Sequence, residues 1–153
     1  MDAIDQALIE ALRADARASY AELGRAVGMS GPSVAERIAR MEQGGVITGY
    51  HAAVDPAALG LSVAAIVGVH LSDTSDQDAV TTALSDLEEV EDCWFVAGDE
   101  SFLVKVRVPD VAGLERTLSR LRRIRGVART RTTVVLSTKW EGRTAPPEEG
   151  LRR

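Results

Sequence analysis

The 153-residue sequence contains one cysteine, Cys93, so no intramolecular disulfide can form and a reducing compartment is expected. No apolar run approaches the ~20 residues needed to cross a bilayer. The opening Met1-Asp2-Ala3-Ile4-Asp5 lacks the basic and then apolar regions of a signal peptide. A cytoplasmic location without a membrane partner is therefore the expectation. Histidine is scarce too: the two histidines, His51 and His70, stand far apart with no Cys/His cluster around either, so neither a metal site nor a cofactor is expected. No Ser/His/Asp constellation and no phosphate-binding glycine loop occurs. Excess positive charge is missing too, since the net charge is −5. Residues 1–45 hold five Arg against seven Asp or Glu, which sums to −2. Contact with nucleic acid, which needs Lys or Arg on phosphates, would have to rest on where particular arginines point.

What is present is globular: 45% hydrophobic and 27% charged residues put the chain outside the disordered class. Ile4, Leu8 and Leu12 recur at helical spacing over residues 1–14, with Asp2 as N-cap. After a break at Asp15–Ala18, Ser19-Tyr20-Ala21-Glu22 is a capping box opening a short helix that buries Leu23 and Val27, and Gly28 is its left-handed C-cap. Ser30 caps a third helix with Val34, Ile38 and Met41 as its buried stripe, leaving Ser33, Arg37 and Arg40 on the opposite side. Gly44-Gly45 ends it, and Val46-Ile47 begins something extended. Three short helices with a Gly-containing turn between the second and third describe a helix-turn-helix over residues 1–50.

Residues 51–61 read as a linker around the turn signal Asp55-Pro56. Beyond it lies an ungapped internal repeat offset by 37 residues. Ile66-Val67-Gly68-Val69-His70-Leu71 matches Leu103-Val104-Lys105-Val106-Arg107-Val108, and Ser72-Asp73 matches Pro109-Asp110. Leu84, Leu87 and Val90 match Leu121, Ile124 and Val127. Each copy reads strand, acidic N-cap, amphipathic helix, strand. Two such units in tandem give a βαββαβ, ferredoxin-like domain over residues 62–140, with both helices on one sheet face and Leu84, Leu87, Leu118 and Leu121 buried against it. The other sheet face is left for a partner subunit. The copies differ in charge: residues 73–92 hold eight acids and no base, residues 116–131 seven Arg and no acid. A solvated helix face, subunit steering or wrapped DNA are the open readings of the basic copy. Residues 141–153 read as a flexible tail. The fold class is α+β: an N-terminal winged helix-turn-helix followed by the sheet domain.

Ile4-Asp5, Arg17, Ala21-Glu22-Leu23, Val27-Gly28-Met29-Ser30, Arg37-Ile38, Gly45-Val46-Ile47 and Gly49-Tyr50 closely resemble the Lrp/AsnC family of feast/famine regulators. The resemblance continues through Asp55-Pro56 and Leu59-Gly60 to about Trp140. It implies a sequence-specific DNA-binding transcriptional regulator, not an enzyme, whose C-terminal domains form a homodimer assembling into an octamer or another ring of dimers. It implies a small-molecule effector, an amino acid or related metabolite, bound between dimers near the turn joining the second and third strands. That turn is Val96–Phe102 here, with Gly98, Asp99, Glu100 and Ser101 as candidate effector residues. Thr132 and Thr133 are the nearest match to polar residues lining the family's pocket. Many members carry an Asp where Ser101 stands, and there it helps hold the effector's amino group.

For duplex DNA the candidate contacts are Arg17, Tyr20, Ser30, Pro32, Ser33, Arg37 and Arg40. Side chains near the start of a recognition helix enter the major groove, and a helix N-terminus favours phosphate. Each has a plainer reading: Arg37 paired with an acid, Tyr20 packed, Arg17 capping locally, Thr132 and Thr133 as ordinary strand alternation. Cys93 reads as a buried small apolar residue. Two rivals come from other classes. A sirohaem-decarboxylase-like enzyme resembles the same architecture but needs acid–base groups that two histidines hardly supply. An assembly protein that binds ligand and no longer binds DNA draws weight from the acidic N-terminal half.

Overall fold

Asp2 opens the first helix: its carboxylate accepts the Asp5 N–H at 2.9 Å, and the Asp5 carboxylate returns the bond to the Asp2 N–H at 3.0 Å. That reciprocal box, closed by an aspartate three residues on, starts α1 (Ala3–Ala14). The structure, a computed structural model, describes residues 1–142. Ser19 and Glu22 form the capping box of α2 (Tyr20–Val27), which ends on Gly28 in the left-handed region at φ 70°. Gly24 is fixed by its neighbour instead, because a Cβ there would collide with the Met29 carbonyl. The chain thus turns tightly into α3 (Gly31–Gln43), capped by Ser30. Leu8, Leu23, Val34, Ile38 and Met41 form the core of this three-helix unit, with Val27 packed at its margin and partly buried. The stretch after α3 stays outside any sheet: among the described residues, Val46-Ile47 contributes no strand.

The second unit runs from Val54 to Glu141. A 3₁₀ turn at Pro56–Leu59 leads to β1 (Val63–Leu71), α4 (Gln77–Ser85), β2 (Val90–Phe95), β3 (Phe102–Val108), α5 (Val111–Arg123) and β4 (Val127–Val135). The sheet order is β2-β3-β1-β4 with every neighbouring pair antiparallel. This is the ferredoxin-like arrangement that the repeat predicts. Alternation along β1 sends Ala65, Val67 and Val69 to the helix side, where they join Val104, Val106, Leu84 and Leu121 in the core.

The repeat is imperfect in two places. Asp110 caps α5, but its counterpart Asp73 caps nothing. Asp76 caps α4 three residues later, because Ser72–Ser75 form a turn in which the Ser75 hydroxyl donates to the Gly126 carbonyl at 2.7 Å. α4 therefore has 9 residues to α5's 13. Leu118, expected in the core, packs against it but is only partly buried; Leu114 and Thr117 are buried more deeply, and Thr117 satisfies its hydroxyl on the Gly113 carbonyl at 3.0 Å. Cys93 is exposed on the edge strand β2, not buried, and desolvation by its neighbours pushes its thiol up rather than activating it. Of the segment expected as a tail, residues 143–153 lie outside the described residues.

Candidate nucleic-acid interface and effector turn

In the three-helix unit the start of α3 is open. Ser30 and Pro32 are exposed, Ser33 is half-buried, and the Ser30 and Ser33 hydroxyls lie 2.9 Å apart. Pro32 lacks an N–H, the Ser33 N–H goes to the Ser30 hydroxyl and the Val34 N–H to the Ser30 carbonyl, so this end presents the positive end of the helix dipole and two hydroxyls. Arg40 is exposed. Arg17 is exposed and spends its backbone N–H on Asp15 at 2.9 Å. Tyr20 is 50% exposed at the start of α2.

Arg37 does not share the open side with Arg40. Its guanidinium lies 2.8 Å from Asp2 and 2.7 Å from Asp5, and its side chain is only 21% exposed. Hydrogen bonding from the backbone of the capping box, and then from Arg37, holds both carboxyls below the usual range. The acid-paired reading of Arg37 describes what the structure shows. Behind α3, the Tyr50 hydroxyl donates to Glu42 at 2.8 Å, and burial with that carboxylate pushes Tyr50 up to about 12.

In the sheet unit the turn between β2 and β3 is tied to β1. Ser101 donates its N–H to the Val69 carbonyl at 2.9 Å, and its hydroxyl accepts the Leu71 N–H at 3.3 Å. His70, 7% exposed, places Nδ1 2.9 Å from the Asp99 carbonyl oxygen and 3.4 Å from the Arg129 guanidinium. Arg129 lies 3.4 Å from the Asp99 carboxylate, and Arg131 pairs with Glu100. Glu100 is folded over Gly68 with its side chain 12% exposed, whereas Asp99 remains 72% exposed. A Cβ at Gly98 would meet nothing within 4 Å.

His70, Arg129 and Arg131 are the neighbours that sequence reasoning missed. The signal was register: His70 faces Arg129 and Gly68 faces Arg131 across β1 and β4. Register also separates the two threonines. Thr132 lies opposite Val67 on the helix side, and Thr133 opposite Ile66 on the other face, so only Thr133 shares a face with Arg131 and Glu100. Among the described residues, His70, Asp99 and Glu100 are a group whose ligand atoms lie within 4.8 Å of one another. Both carboxylates already face an arginine, so the group is charge-balanced without a cation.

The helix-free sheet face carries Ile66, Leu103 and Trp94, with two cations set among them. Lys105 pairs with Glu91, Asp92 and Glu141, and Arg107 with Glu91 and Glu141 at 2.8 Å each. Among the described residues no helix is long and apolar enough to cross a membrane.

A helix-turn-helix joined to a ferredoxin-like domain, with a polar turn pinned at one end of the sheet, defines a two-part regulator: one part for DNA and one for a ligand. The model of the AsnC-type helix-turn-helix domain matches residues 1–42, and that of the Lrp/AsnC ligand binding domain matches residues 64–145. The chain belongs to the Lrp/AsnC family of transcriptional regulators. It is 40% identical over 143 residues to the HTH-type transcriptional regulator LrpA of Mycobacterium tuberculosis, covering 94% of this chain and 95% of that protein. It is 37% identical over 139 residues to the leucine-responsive regulatory protein of Escherichia coli, covering 89% and 85%. Among solved structures, a feast or famine regulatory protein from M. tuberculosis complexed with L-methionine superposes with a TM-score of 0.89 at 40% identity, covering 95% of this chain and 99% of that one. These relatives are named as regulators, which places the chain with them and apart from enzymes.

Proposed function

We propose that the chain regulates transcription in the cytoplasm as a ring of homodimers, reading duplex DNA with the start of α3 and binding an amino acid at the Gly98–Ser101 turn. Ser30, Pro32, Ser33 and Arg40 meet the DNA, with Arg17 and Tyr20 flanking them. A serine-capped helix start suits phosphate, and an exposed arginine about two turns further along reaches base edges or backbone.

The observation that carries the effector reading is the methionine bound by the 40%-identical relative. Here Asp99, exposed and loosely paired, supplies a carboxylate for an ammonium, and Gly98 leaves room for a ligand against the backbone. Glu100 and Thr133 border the same face. The helix-free sheet face, with Trp94 47% exposed, buries itself against a second subunit.

The test is selection of fragments from sheared genomic DNA by the full chain at low salt, alongside calorimetric titration of L-methionine. Recovery of discrete fragments together with saturable methionine binding supports the reading. A chain that retains no fragment is the assembly-protein alternative, and a tetrapyrrole absorbance band in the purified protein points to the decarboxylase-like one.

A further inference from the structure

We infer that Arg37 is a positioning residue for DNA binding: it latches the capping box of α1 to the recognition helix α3 and does not itself touch DNA. The inference rests on α3 being the DNA-reading element. One nitrogen, Nη1, donates to Asp2 Oδ2 at 2.8 Å and to Asp5 Oδ1 at 2.7 Å. Those carboxylates are the two arms of the box that starts α1, each already accepting the other residue's N–H through its second oxygen. One guanidinium therefore closes a ring of charge-assisted hydrogen bonds joining residues 32 and 35 positions apart in the chain.

Burial makes the ring necessary. The Asp5 side chain is 8% exposed, and a carboxylate so withdrawn from water requires a cation or donors on each oxygen. Arg37 stands between the core residues Val34 and Ile38, so holding it fixes both the rotation of α3 and its distance from α1. The first turn of α3, Ser30–Ser33, is the next turn along the same helix. A guanidinium held by two carboxylates would have to leave both to reach a phosphate. Arg40 is differently placed, 65% exposed and 4.0 Å from Asp5.

The two roles separate in salt. An arginine on a phosphate releases a counterion, so removing it makes the log affinity against log salt slope shallower by about one. A latch moves affinity without moving the slope. The probe is a duplex fragment that the wild-type chain selects from sheared genomic DNA, titrated at several salt concentrations with the full chain, Arg37→Ala, Asp5→Asn and Arg40→Ala. The latch predicts that Arg37→Ala and Asp5→Asn both weaken binding by the same factor at every salt concentration and lower Tm. Asp5→Asn is the sharper arm, because deleting a negative charge near DNA should tighten binding if only charge mattered. Arg40→Ala should make the slope shallower with little change in Tm.

A slope shallower by about one in Arg37→Ala, or affinity kept or gained in Asp5→Asn, overturns the latch while leaving α3 as the reading helix. Unchanged binding in both Arg37→Ala and Arg40→Ala overturns the assignment of α3 itself. If either latch variant loses helical signal, Asp2→Asn, which removes only the more exposed arm, is read by the same criteria.

Discussion

Glu100 lies directly over Gly68: a Cβ on Gly68 would stand 2.6 Å from the Glu100 Cγ. Glycine in the middle of β1 is the condition for the turn's acidic side chain to fold down beside Arg131. Gly68→Ala should expel Glu100 and break that pair. Overpacking ordinarily destabilises by about 1–3 kcal/mol, and the lower end applies because the yielding atoms belong to a flexible side chain. A denaturant melt followed by tryptophan emission checks this, since Trp94 and Trp140 both lie in the sheet unit. Unchanged stability would mean that Glu100 has no fixed seat.

Leu121 is fully buried, as is its repeat counterpart Leu84. Leu121→Ala should destabilise by roughly 2–5 kcal/mol. The partly buried Leu118 should lose clearly less when cut to alanine. Equal losses at the two positions would contradict the packing of α5.

How much of this was legible in the sequence depends on the range of the interaction. The three N-terminal helices, their caps and the βαββαβ order rest on local spacing and on the 37-residue repeat, and these were readable. The late start of α4 was not, because the Ser72–Ser75 turn answers to Gly126, 51 residues away from Ser75. Leu118 packs against the core as expected but is only partly buried, and the fully buried position beside it is Thr117, with its hydroxyl satisfied locally. At the candidate sites, residue types were legible and partners were not. Arg37 and Arg40 look alike on a helical wheel, and only the fold brings Asp2 and Asp5 within 2.8 Å of Arg37 while leaving Arg40 4.0 Å from Asp5. Thr132 and Thr133 are neighbours in sequence and face opposite sides of the sheet.

Ser101 already spends its hydroxyl on the Leu71 N–H. It offers no charge to an ammonium, which many family members meet with an aspartate at this position. A charge-assisted bond contributes about 1.5–3 kcal/mol against about 0.5–1.5 for a neutral one. Ser101→Asp should therefore tighten amino-acid binding about tenfold, one decade being about 1.4 kcal/mol. Asp99→Asn should weaken the wild type more than Glu100→Gln does, since Asp99 is the more exposed of the two carboxylates. Calorimetric titration with L-methionine reads all three variants. Tight wild-type binding that none of them alters would put the effector elsewhere.

Stability should fall at acid pH in both units. Asp2 and Asp5 are lowered chiefly by the backbone bonds of the α1 box, Glu22 by Ser19, and Glu141 by Lys105. A lowered carboxyl stabilises the fold above its ordinary value, 3.8 for Asp and 4.5 for Glu, and loses that contribution as pH falls through the lowered one. Lys105 has the opposite sign. Burial opposes its charge, but Glu141, Glu91 and Asp92 outweigh it and raise the group, so its contribution is lost as pH rises above 10.5. Glu141→Gln should flatten the acid limb of the tryptophan-monitored melt, and an acid limb identical to wild type would show that this pairing adds nothing in solution.

Effector and DNA must be coupled if the chain is a ligand-responsive regulator, because each ligand shifts an equilibrium only through its different affinity for two assemblies. The most direct measurement is the affinity of the full chain for a fragment it selects from genomic DNA, read by fluorescence anisotropy with and without saturating amino acids, L-methionine first. The account predicts that at least one amino acid changes DNA affinity by roughly 5–150-fold, and that the same fragment changes the affinity for that amino acid by the same factor. DNA binding indifferent to every amino acid, though calorimetry shows one bound at the Gly98 turn, would contradict it.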